Sequence, residues 1–286
     1  MLQQWWPTLT IRKYDKGFLI VATLNTWYKN SALALIDNLD EFYPEAKIFV
    51  ATHKAWADEF ENLDNVVKVL TEDDGMPSST RTKLWALRYT PFIKTCYLDA
   101  DMEVISDEIQ EVWDILDNNH DMAFTVINPK CGSTTAIYKE DGEAGIRDND
   151  PERHLRYHGG FFLWNNTELA NKAMELWWDR YQEINCSKQW WEDHPEIYHV
   201  NKSWDQFTLW WILKYDTPGI KIQEYTQAKW NWNLYMPKED FVEGEQVIIH
   251  HPLDRTKMQE QGINIAKFDE VDEHKIGPGG IRYADE

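Results

Sequence analysis

Short apolar segments alternate with helical patterns over the first hundred residues of the chain. Four apolar segments predict buried strands: 18–22, 47–51, 66–70 and 95–98. Three segments between them have the apolar spacing of helices: 28–43, 55–63 and 78–89. We expect the last of these helices to begin with a serine or threonine cap and to end before Pro91. Strands that alternate with helices form βαβ units, so the sequence predicts an α/β fold whose parallel sheet is covered on both faces.

The second half of the sequence has a more mixed pattern. Three segments predict strands: 122–127, 160–164 and 246–250. Two segments predict helices: 167–184 and 204–213. Because no linker or internal repeat divides the chain, we expect one domain over residues 1–266, with a Rossmann-like mixed sheet flanked by helices. Residues 267–286 are acidic and glycine-containing, which is typical of a tail.

Charge and composition exclude several partners. The chain of 286 residues carries a formal net charge of −20, which repels nucleic acid and anionic membrane surfaces. No apolar run approaches the ~20 residues that cross a bilayer. The N-terminal residues lack the apolar core of a signal peptide, and three cysteines are too few for a disulfide framework, so we expect a cytoplasmic protein. The same negative field would repel a nucleotide diphosphate unless a bound cation reverses the sign locally.

Polar side chains follow the first and the fourth predicted strands. Thr23 and Asn25 come after the first strand, and Asp99 and Asp101 come after the fourth. The carboxyl ends of parallel strands meet at one edge of a sheet, where ligands of such folds bind. We therefore expect these four side chains to converge on one crevice, on grounds of topology alone.

The segment Asp99-Ala100-Asp101 is the candidate metal site. A triplet of this kind is common in an acidic chain, since Asp148-Asn149-Asp150 is a second one, and there a polar context without a preceding strand indicates a solvated loop. Two carboxylates at a strand end can share one hard cation with diphosphate oxygens. Without a cation, two like charges so close together are unfavourable to bury. The alternative is a pair of aspartates that cap a helix or form a turn.

A metal at this triplet requires a further ligand, and two adjacent histidines are candidates. His250 and His251 end a late predicted strand, and imidazole suits ions such as Mn²⁺. Adjacent strand residues face opposite ways, so only one of the two can reach the metal. A structural role for a strand-end histidine is the alternative.

Three further sets of residues are candidates for chemistry. Asp205 and Gln206 open a predicted helix, where they either contact sugar hydroxyls or simply cap the helix. The segment His158-Gly159-Gly160 lets the backbone approach a ligand or forms a tight turn. Three basic residues precede the Asp triplet, where they neutralise phosphate or form a solvated helix face: Arg81, Lys83 and Arg88.

Sixteen tryptophans are unusual for a chain of this length. In a helical pair such as Trp177-Trp178 or Trp210-Trp211, we expect one ring to be buried and its neighbour half-exposed. Rings flanked by polar residues, as in Trp230-Asn231-Trp232-Asn233, are better candidates for stacking on sugar faces.

Taken in order from Phe18 to Lys257, these segments resemble the glycogenin-like family-8 glycosyltransferases, which have the GT-A fold. Segment 82–87 resembles the family's Thr-Lys-Leu helix, and segment 97–104 resembles its Asp-Ala-Asp metal motif. Segment 23–28 resembles the uridine-binding first loop. The resemblance implies that Asn25 and Tyr28 contact the base or ribose and that Lys83 lies near the donor sugar or phosphates.

The resemblance extends to the second half of the chain. Segment 158–161 is similar to an Asn-Ala-Gly-like segment that holds the donor sugar, with histidine in place of asparagine. Asp205-Gln206 matches an Asp-Gln pair at the reacting centre. His251 resembles the family's closing metal histidine, with a phosphate-binding lysine, Lys257, six residues later. This spacing favours His251 as the ligand, whereas the strand-like pattern favours His250.

The resemblance therefore implies a metal-dependent retaining hexosyltransferase that uses a UDP-sugar and an acceptor that we expect to be a glycan. Mn²⁺ or Mg²⁺ would be held by Asp99, Asp101 and His251 (or His250). The implied donor-binding residues are Thr23, Asn25, Tyr28, Lys83, Asp99, Ala100, His158, Gly159, Gly160 and Lys257.

Two other functions are consistent with parts of the sequence. A sugar-1-phosphate nucleotidyltransferase shares this architecture, but the loop at 23–27 lacks the glycines typical of that class. A non-catalytic carbohydrate-binding protein would use the tryptophans, but it does not explain the acids, lysine and histidine at successive strand ends.

Overall fold

The computed structural model describes residues 12–77, 79, 81–126, 157–186, 188–193, 205–225, 227–230, 248–250, 276–277 and 281–282. Its strands are β1 (Tyr14–Ala22), β2 (Ile48–Thr52), β3 (Val66–Leu70), β4 (Phe92–Asp99), β5 (Glu103–Val104), β6 (Met122–Val126), β7 (Tyr157–Asn165), β8 (Ile222–Tyr225), β9 (Ile249–His250), β10 (Ile276–Gly277) and β11 (Ile281–Arg282). Its helices are α1 (Thr26–Phe42), α2 (Ala57–Glu61), α3 (Thr82–Ala86), α4 (Val112–Ile115), α5 (Glu168–Cys186), α6 (Lys188–Asp193), α7 (Asp205–Trp211) and α8 (Gln227–Trp230).

Seven strands form one mixed sheet in the order β3-β2-β1-β4-β7-β6-β8. The first four strands of the chain are parallel, as predicted. β7 is antiparallel to β4 and β6, and β8 is parallel to β6. This confirms the predicted α/β class with a mixed sheet, because the second half of the chain extends the sheet with strands of both directions.

Both faces of the sheet are covered by helices, and the alternation of side chains along β1 shows how. Phe18 and Ile20 pack on one face against α1, whose spacing buries residues such as Leu35 and Leu39. Leu19 and Val21 point to the other face, which is covered by α3, α5 and α7. A strand that is buried on both faces reads in sequence as a continuous apolar run, which is why β1 was predictable.

The helix after β1 is longer than predicted. It begins at Thr26 because the Oδ1 atom of Asn25 accepts hydrogen bonds from the backbone N–H groups of Trp27 (2.9 Å) and Tyr28 (3.2 Å). It ends at Phe42, just before Pro44, which cannot continue a helix.

The predicted helix over 78–89 is shorter in the structure, and its expected serine or threonine cap is wrong. α3 begins at Thr82 after Arg81, whose side chain makes no capping hydrogen bond. The Thr82 hydroxyl instead donates back to the Ser79 carbonyl oxygen at 2.6 Å. A 3₁₀ turn over Leu87–Tyr89 then leads to Pro91 and β4.

In the second half, the segment His158-Gly159-Gly160 lies within β7, so the tight turn considered for it is wrong. The helical tryptophan pairs behave as predicted: Trp177 and Trp210 are buried, and Trp178 and Trp211 are partly exposed. Trp230 is buried against Phe161, which excludes it as an exposed sugar-stacking ring. Residues 231–233 lie outside the described residues.

The described residues contain no helix that is both long and apolar enough to span a membrane. Within 267–286, β10 and β11 pair antiparallel, with Gly277 opposite Ile281. The division of the chain at residue 266 stays a prediction.

Candidate active site

The register of the sheet places the ends of β1, β2 and β4 side by side. Val21 lies opposite Asp99 on one side and opposite Ala51 on the other. From β1 the chain crosses to β2 on one side, whereas β4 lies on the other, so this point is where the strand order reverses. Ligands of open α/β sheets bind in the crevice at such a point.

A cleft of about 140 Å³ opens there. Its lining residues are Val21, Thr23, Leu24, Tyr28, Arg81, Lys83, Tyr97, Asp99, Ala100 and Asp101. The predicted convergence of Thr23, Asp99 and Asp101 is thus confirmed. Asn25 does not line the cleft, because its side chain caps α1.

The loop between β1 and α1 is strained. Leu24 has a φ of 81°, and among the described residues it is the one non-glycine residue with positive φ. The backbone N–H of Asn25 donates to the carbonyl oxygen of Thr23 at 3.1 Å, so Leu24 is the central residue of a γ-turn with positive φ. Non-glycine residues in this region are disfavoured by contact of Cβ with the backbone, and such strain is concentrated at functional sites.

Lys83 connects the Asp triplet with α7. Its Nζ atom lies 3.4 Å from Asp99 Oδ1 and 2.9 Å from Asp205 Oδ2. It also donates to the Gly159 carbonyl oxygen at 3.2 Å. The hydroxyl of Tyr97 donates to Asp99 Oδ1 at 2.6 Å. One lysine therefore joins α3, β4, β7 and α7 at the edge of the cleft.

The charges of this cluster depend on one another. Burial lowers the pKa of Lys83, but the carboxylates of Asp205 and Asp99 together raise it by more, so the net shift is upward. Burial raises the pKa of Asp205, but Lys83 and Arg81 outweigh it and hold that pKa well below its usual range. Burial, together with Asp101 and Asp99, raises the pKa of Tyr28 to about 12. At neutral pH the cluster is a buried ion pair beside a neutral phenol.

Of the two glycines of β7, Gly160 makes room for the Asp99 carboxylate. A Cβ atom on Gly160 would lie 2.5 Å from Asp99 Oδ2, whereas a Cβ atom on Gly159 would lie 3.5 Å from Asp205 Oδ2. The backbone N–H of Gly160 also donates to His158 Nδ1 at 3.0 Å. Position 160 therefore requires glycine so that Asp99 and His158 can both lie against the strand.

Asp205 and Gln206 are both buried at the start of α7. The Asp205 carboxylate pairs with Lys83 across the site. Among the described residues, the Oε1 atom of Gln206 has no hydrogen-bond partner although the residue is only 6% exposed. A buried amide oxygen without a partner is unfavourable, which is consistent with a place for a ligand hydroxyl.

Asp99 and Asp101 are the residues of the cleft that could hold a metal. Both offer carboxylate oxygens, which suit Mg²⁺ and Mn²⁺, so the donor set fits the expected ion. The described residues contain no group of three or more His, Cys, Asp or Glu residues placed to hold a metal. β9 pairs antiparallel with β5, which places residue 250 opposite Glu103, two positions after Asp101 in the sequence. His251 and Lys257 lie outside the described residues.

The other basic candidate lies elsewhere. Arg88 contacts Asp179 of α5 at 3.2 Å and does not line the cleft. The sequence reasoning also missed His53 and Glu72, which contact each other beside the strained loop. His53 follows the end of β2, and Glu72 follows the end of β3. The topological argument that was applied to Thr23 and Asp99 would therefore also have predicted these two residues at the cleft edge of the sheet.

No protein-family model matches the chain, and no curated protein matches it in sequence. The glycosyltransferase GlyE of Streptococcus pneumoniae is similar in structure, with 12% identity, a TM-score of 0.53 and coverage of 95% of this chain and 67% of that one. The fold is GT-A. An active-site mutant of LgtC is also similar, with 14% identity, a TM-score of 0.50 and coverage of 83% and 87%. A 4-diphosphocytidyl-2C-methyl-D-erythritol synthase from Anaerococcus prevotii has a TM-score of 0.44. The assignment to the glycogenin-like family 8 stays a prediction.

Proposed function

We propose that the protein is a metal-dependent retaining glycosyltransferase that transfers a hexose from a UDP-sugar to a glycan acceptor. The observation that supports this most strongly is the Lys83 cluster. The Nζ atom of Lys83 lies 3.4 Å from Asp99, the carboxylate expected to hold a metal. The same atom lies 2.9 Å from Asp205, the carboxylate expected at the reacting centre. These residues are distant in sequence, and a purely structural ion pair has no need of a cleft beside it.

Mn²⁺ or Mg²⁺ would be held by Asp99 and Asp101, with His251 as the expected further ligand. When bound, such an ion supplies positive charge that stabilises a departing diphosphate. The ion would also reverse the local sign of a chain with a net charge of −20, which otherwise disfavours an anionic donor.

The chain's own residues would bind and orient the donor. Thr23, Leu24 and Tyr28 form the wall of the cleft nearest β1 and would hold the nucleoside. Lys83 would contact the sugar or the diphosphate. Asp205 and Gln206 would contact the donor sugar at the reacting centre, where Gln206 Oε1, which has no hydrogen-bond partner among the described residues, would accept a hydrogen bond from a sugar hydroxyl. Holding the reacting carbon in place in this way lowers the barrier through orientation.

The test is release of UDP from a panel of UDP-sugars, with and without EDTA, in wild type, Asp101→Asn and Asp148→Asn. Asp148→Asn is the matched control, because it changes the same residue type in a second Asp-x-Asp triplet. We expect EDTA and Asp101→Asn to abolish most UDP release and Asp148→Asn to leave it unchanged. UDP release that persists in EDTA and in Asp101→Asn would refute the proposal.

The same panel separates the two other functions. Pyrophosphate formed from a nucleoside triphosphate and a sugar phosphate would identify a nucleotidyltransferase. Glycan binding that is indifferent to metal and UDP would identify a non-catalytic carbohydrate-binding protein.

A further inference from the structure

His53 and Glu72 form a hydrogen-bonded chain that ends on the strained loop of the cleft. The backbone N–H of Leu24 donates to His53 Nε2 at 3.2 Å. The other ring nitrogen of His53, Nδ1, contacts the Oε1 atom of Glu72. These residues follow the ends of β1, β2 and β3. The series of hydrogen bonds therefore runs along the edge of the sheet, from the end of β3 to the cleft wall.

Each contact has a defined donor. Because the Leu24 N–H donates to Nε2, that nitrogen carries no proton, and the imidazole proton lies on Nδ1, where Glu72 accepts it. Glu72 is itself anchored, since its Oε2 atom accepts the Lys54 backbone N–H at 2.7 Å. Burial raises the pKa of Glu72, but hydrogen bonds from His53 and the backbone outweigh it and leave the carboxyl ionised. Glu72 thus selects the one tautomer of His53 that can hold Leu24.

Neighbouring groups hold this chain in place. The Trp56 ring packs edge-on against His53, with centroids 4.8 Å apart. Glu72 begins a 3₁₀ turn that is closed by a capping box between Thr71 and Asp74. Next to His53, the Thr52 hydroxyl donates to the Ala22 carbonyl oxygen at 2.8 Å. Thr52, at the end of β2, and the next residue, His53, therefore hold Ala22 and Leu24.

We propose that His53, oriented by Glu72, is a positioning residue that holds Leu24 in its positive-φ turn and so preforms the nucleotide-binding wall of the cleft. This inference rests on the proposed function, since it assigns the wall formed by Thr23 and Leu24 to the nucleotide. Without His53 the loop relaxes, because a leucine leaves the left-handed region when nothing retains it. Nucleotide binding would then have to restore the turn and would be weakened accordingly.

The test measures the dissociation constant of UDP in the presence of Mn²⁺ by titration calorimetry, with His120→Ala as the matched control. His120 is also partly exposed and also contacts a carboxylate, Asp117 at 2.7 Å, but it precedes β6, which lies beside the opposite edge strand, β8. We expect His53→Ala to raise the dissociation constant about tenfold, the effect of one lost hydrogen bond together with the left-handed turn. His53→Gln keeps an acceptor near the Nε2 position and should stay within about threefold of wild type.

A double-mutant cycle with Leu24→Gly separates positioning from any direct contact between His53 and the nucleotide. Glycine adopts positive φ readily, so His53→Ala should weaken UDP binding by about threefold or less in the Leu24→Gly background. In UDP-sugar hydrolysis, His53→Ala should raise KM while kcat stays within about twofold. The unfolding temperature of ligand-free His53→Ala should match that of His120→Ala.

Three outcomes decide the matter. If wild type and His53→Ala bind UDP equally well, the positioning role of His53 is overturned, whereas the proposed function is not. An equal tenfold loss in the Leu24 and Leu24→Gly backgrounds would also overturn it, because it would indicate direct contact with the ligand. Wild type that binds no nucleotide would remove the proposed function and this inference together.

Discussion

Replacing Lys83 with methionine removes the cation that joins Asp99 to Asp205 while keeping a side chain of similar length. The Asp205 carboxylate would then be left in a buried position without its nearest positive charge. We expect the variant to lose both stability and UDP-sugar turnover. Stability is the sharper readout, because its magnitude can be worked out from the burial of the pair.

The side chains of Lys83 and Asp205 are 16% and 10% exposed, so the pair is largely removed from water. Loss of one partner from a buried pair lowers the free energy of unfolding by about 3–5 kcal/mol. Lys29→Met is the matched control, since Lys29 lies 2.8 Å from Glu59, whose side chain is 46% exposed. The Lys29 side chain is 16% exposed, like that of Lys83, but a pair whose carboxylate is open to solvent contributes less than about 1 kcal/mol.

The pH dependence has a definite sign. In wild type the pKa of Asp205 lies below its ordinary value of 3.8, so the pair contributes its full stability from about pH 4 upward and loses it as pH falls further. In Lys83→Met, burial is opposed only by Arg81 and by a backbone hydrogen bond of Asp205, so the pKa of this carboxyl rises and a proton neutralises it on acidification. The loss of stability should therefore be smaller near about pH 5 than near about pH 8.

Urea unfolding of wild type and both lysine variants at the two pH values measures these free energies. Two results would refute the reasoning. One is a loss in Lys83→Met no larger than that in Lys29→Met. The other is a Lys83→Met loss that grows as the pH is lowered.

Three other substitutions test the geometry of the site. Gly160→Ala places a carbon 2.5 Å from Asp99 Oδ2 and should lower UDP-sugar turnover by about a hundredfold. In Gly159→Ala the added carbon is in ordinary contact, so turnover should fall less, and equal losses would contradict the role of Gly160. Gln206→Met keeps most of the buried volume and should lower kcat about tenfold or more with little change in unfolding temperature, because the Oε1 atom has no partner among the described residues to lose. A large fall in that temperature would indicate a structural role. Tyr97→Phe removes the hydrogen bond to Asp99 and should weaken Mn²⁺ binding about tenfold, as measured by metal titration; unchanged affinity would show that the phenol does not orient Asp99.

Much of the fold was predictable because of how β1 to β4 are buried. β1, β2 and β4 are largely buried on both faces, so they appear as apolar runs, and the polar residues Thr23 and Asp99 mark where two of these runs end. β3, at the edge of the sheet, is only partly buried. Parallel direction then places those ends together, and the cleft follows from topology. The start of α3 was not predictable, because Thr82 donates back to a loop carbonyl instead of capping the helix from outside.

The contacts that complete the site depend on long-range geometry that local patterns do not record. The pair of Lys83 and Asp205 joins α3 to α7, whose residues are 122 positions apart in sequence. It can be recognised only from the folded structure, because no local pattern relates the two residues. At 158–160 the sequence left two readings open, a close approach to a ligand and a tight turn, because glycine permits both. In the structure the segment lies in β7, where Gly160 makes room for Asp99. The strain at Leu24 has no sequence signal, because leucine is not a residue that favours positive φ.

Thermal unfolding with UDP, with Mn²⁺ and with both together tests the central claim most directly. At UDP about 100 times its dissociation constant, binding should add about 2.7 kcal/mol, or roughly 5–10 °C in unfolding temperature for a domain of this size. We predict this shift only when UDP and Mn²⁺ are both present, and its loss in Asp101→Asn. An equal shift without Mn²⁺, or none with both, would contradict the assignment of the cleft as a metal-dependent nucleotide-sugar site.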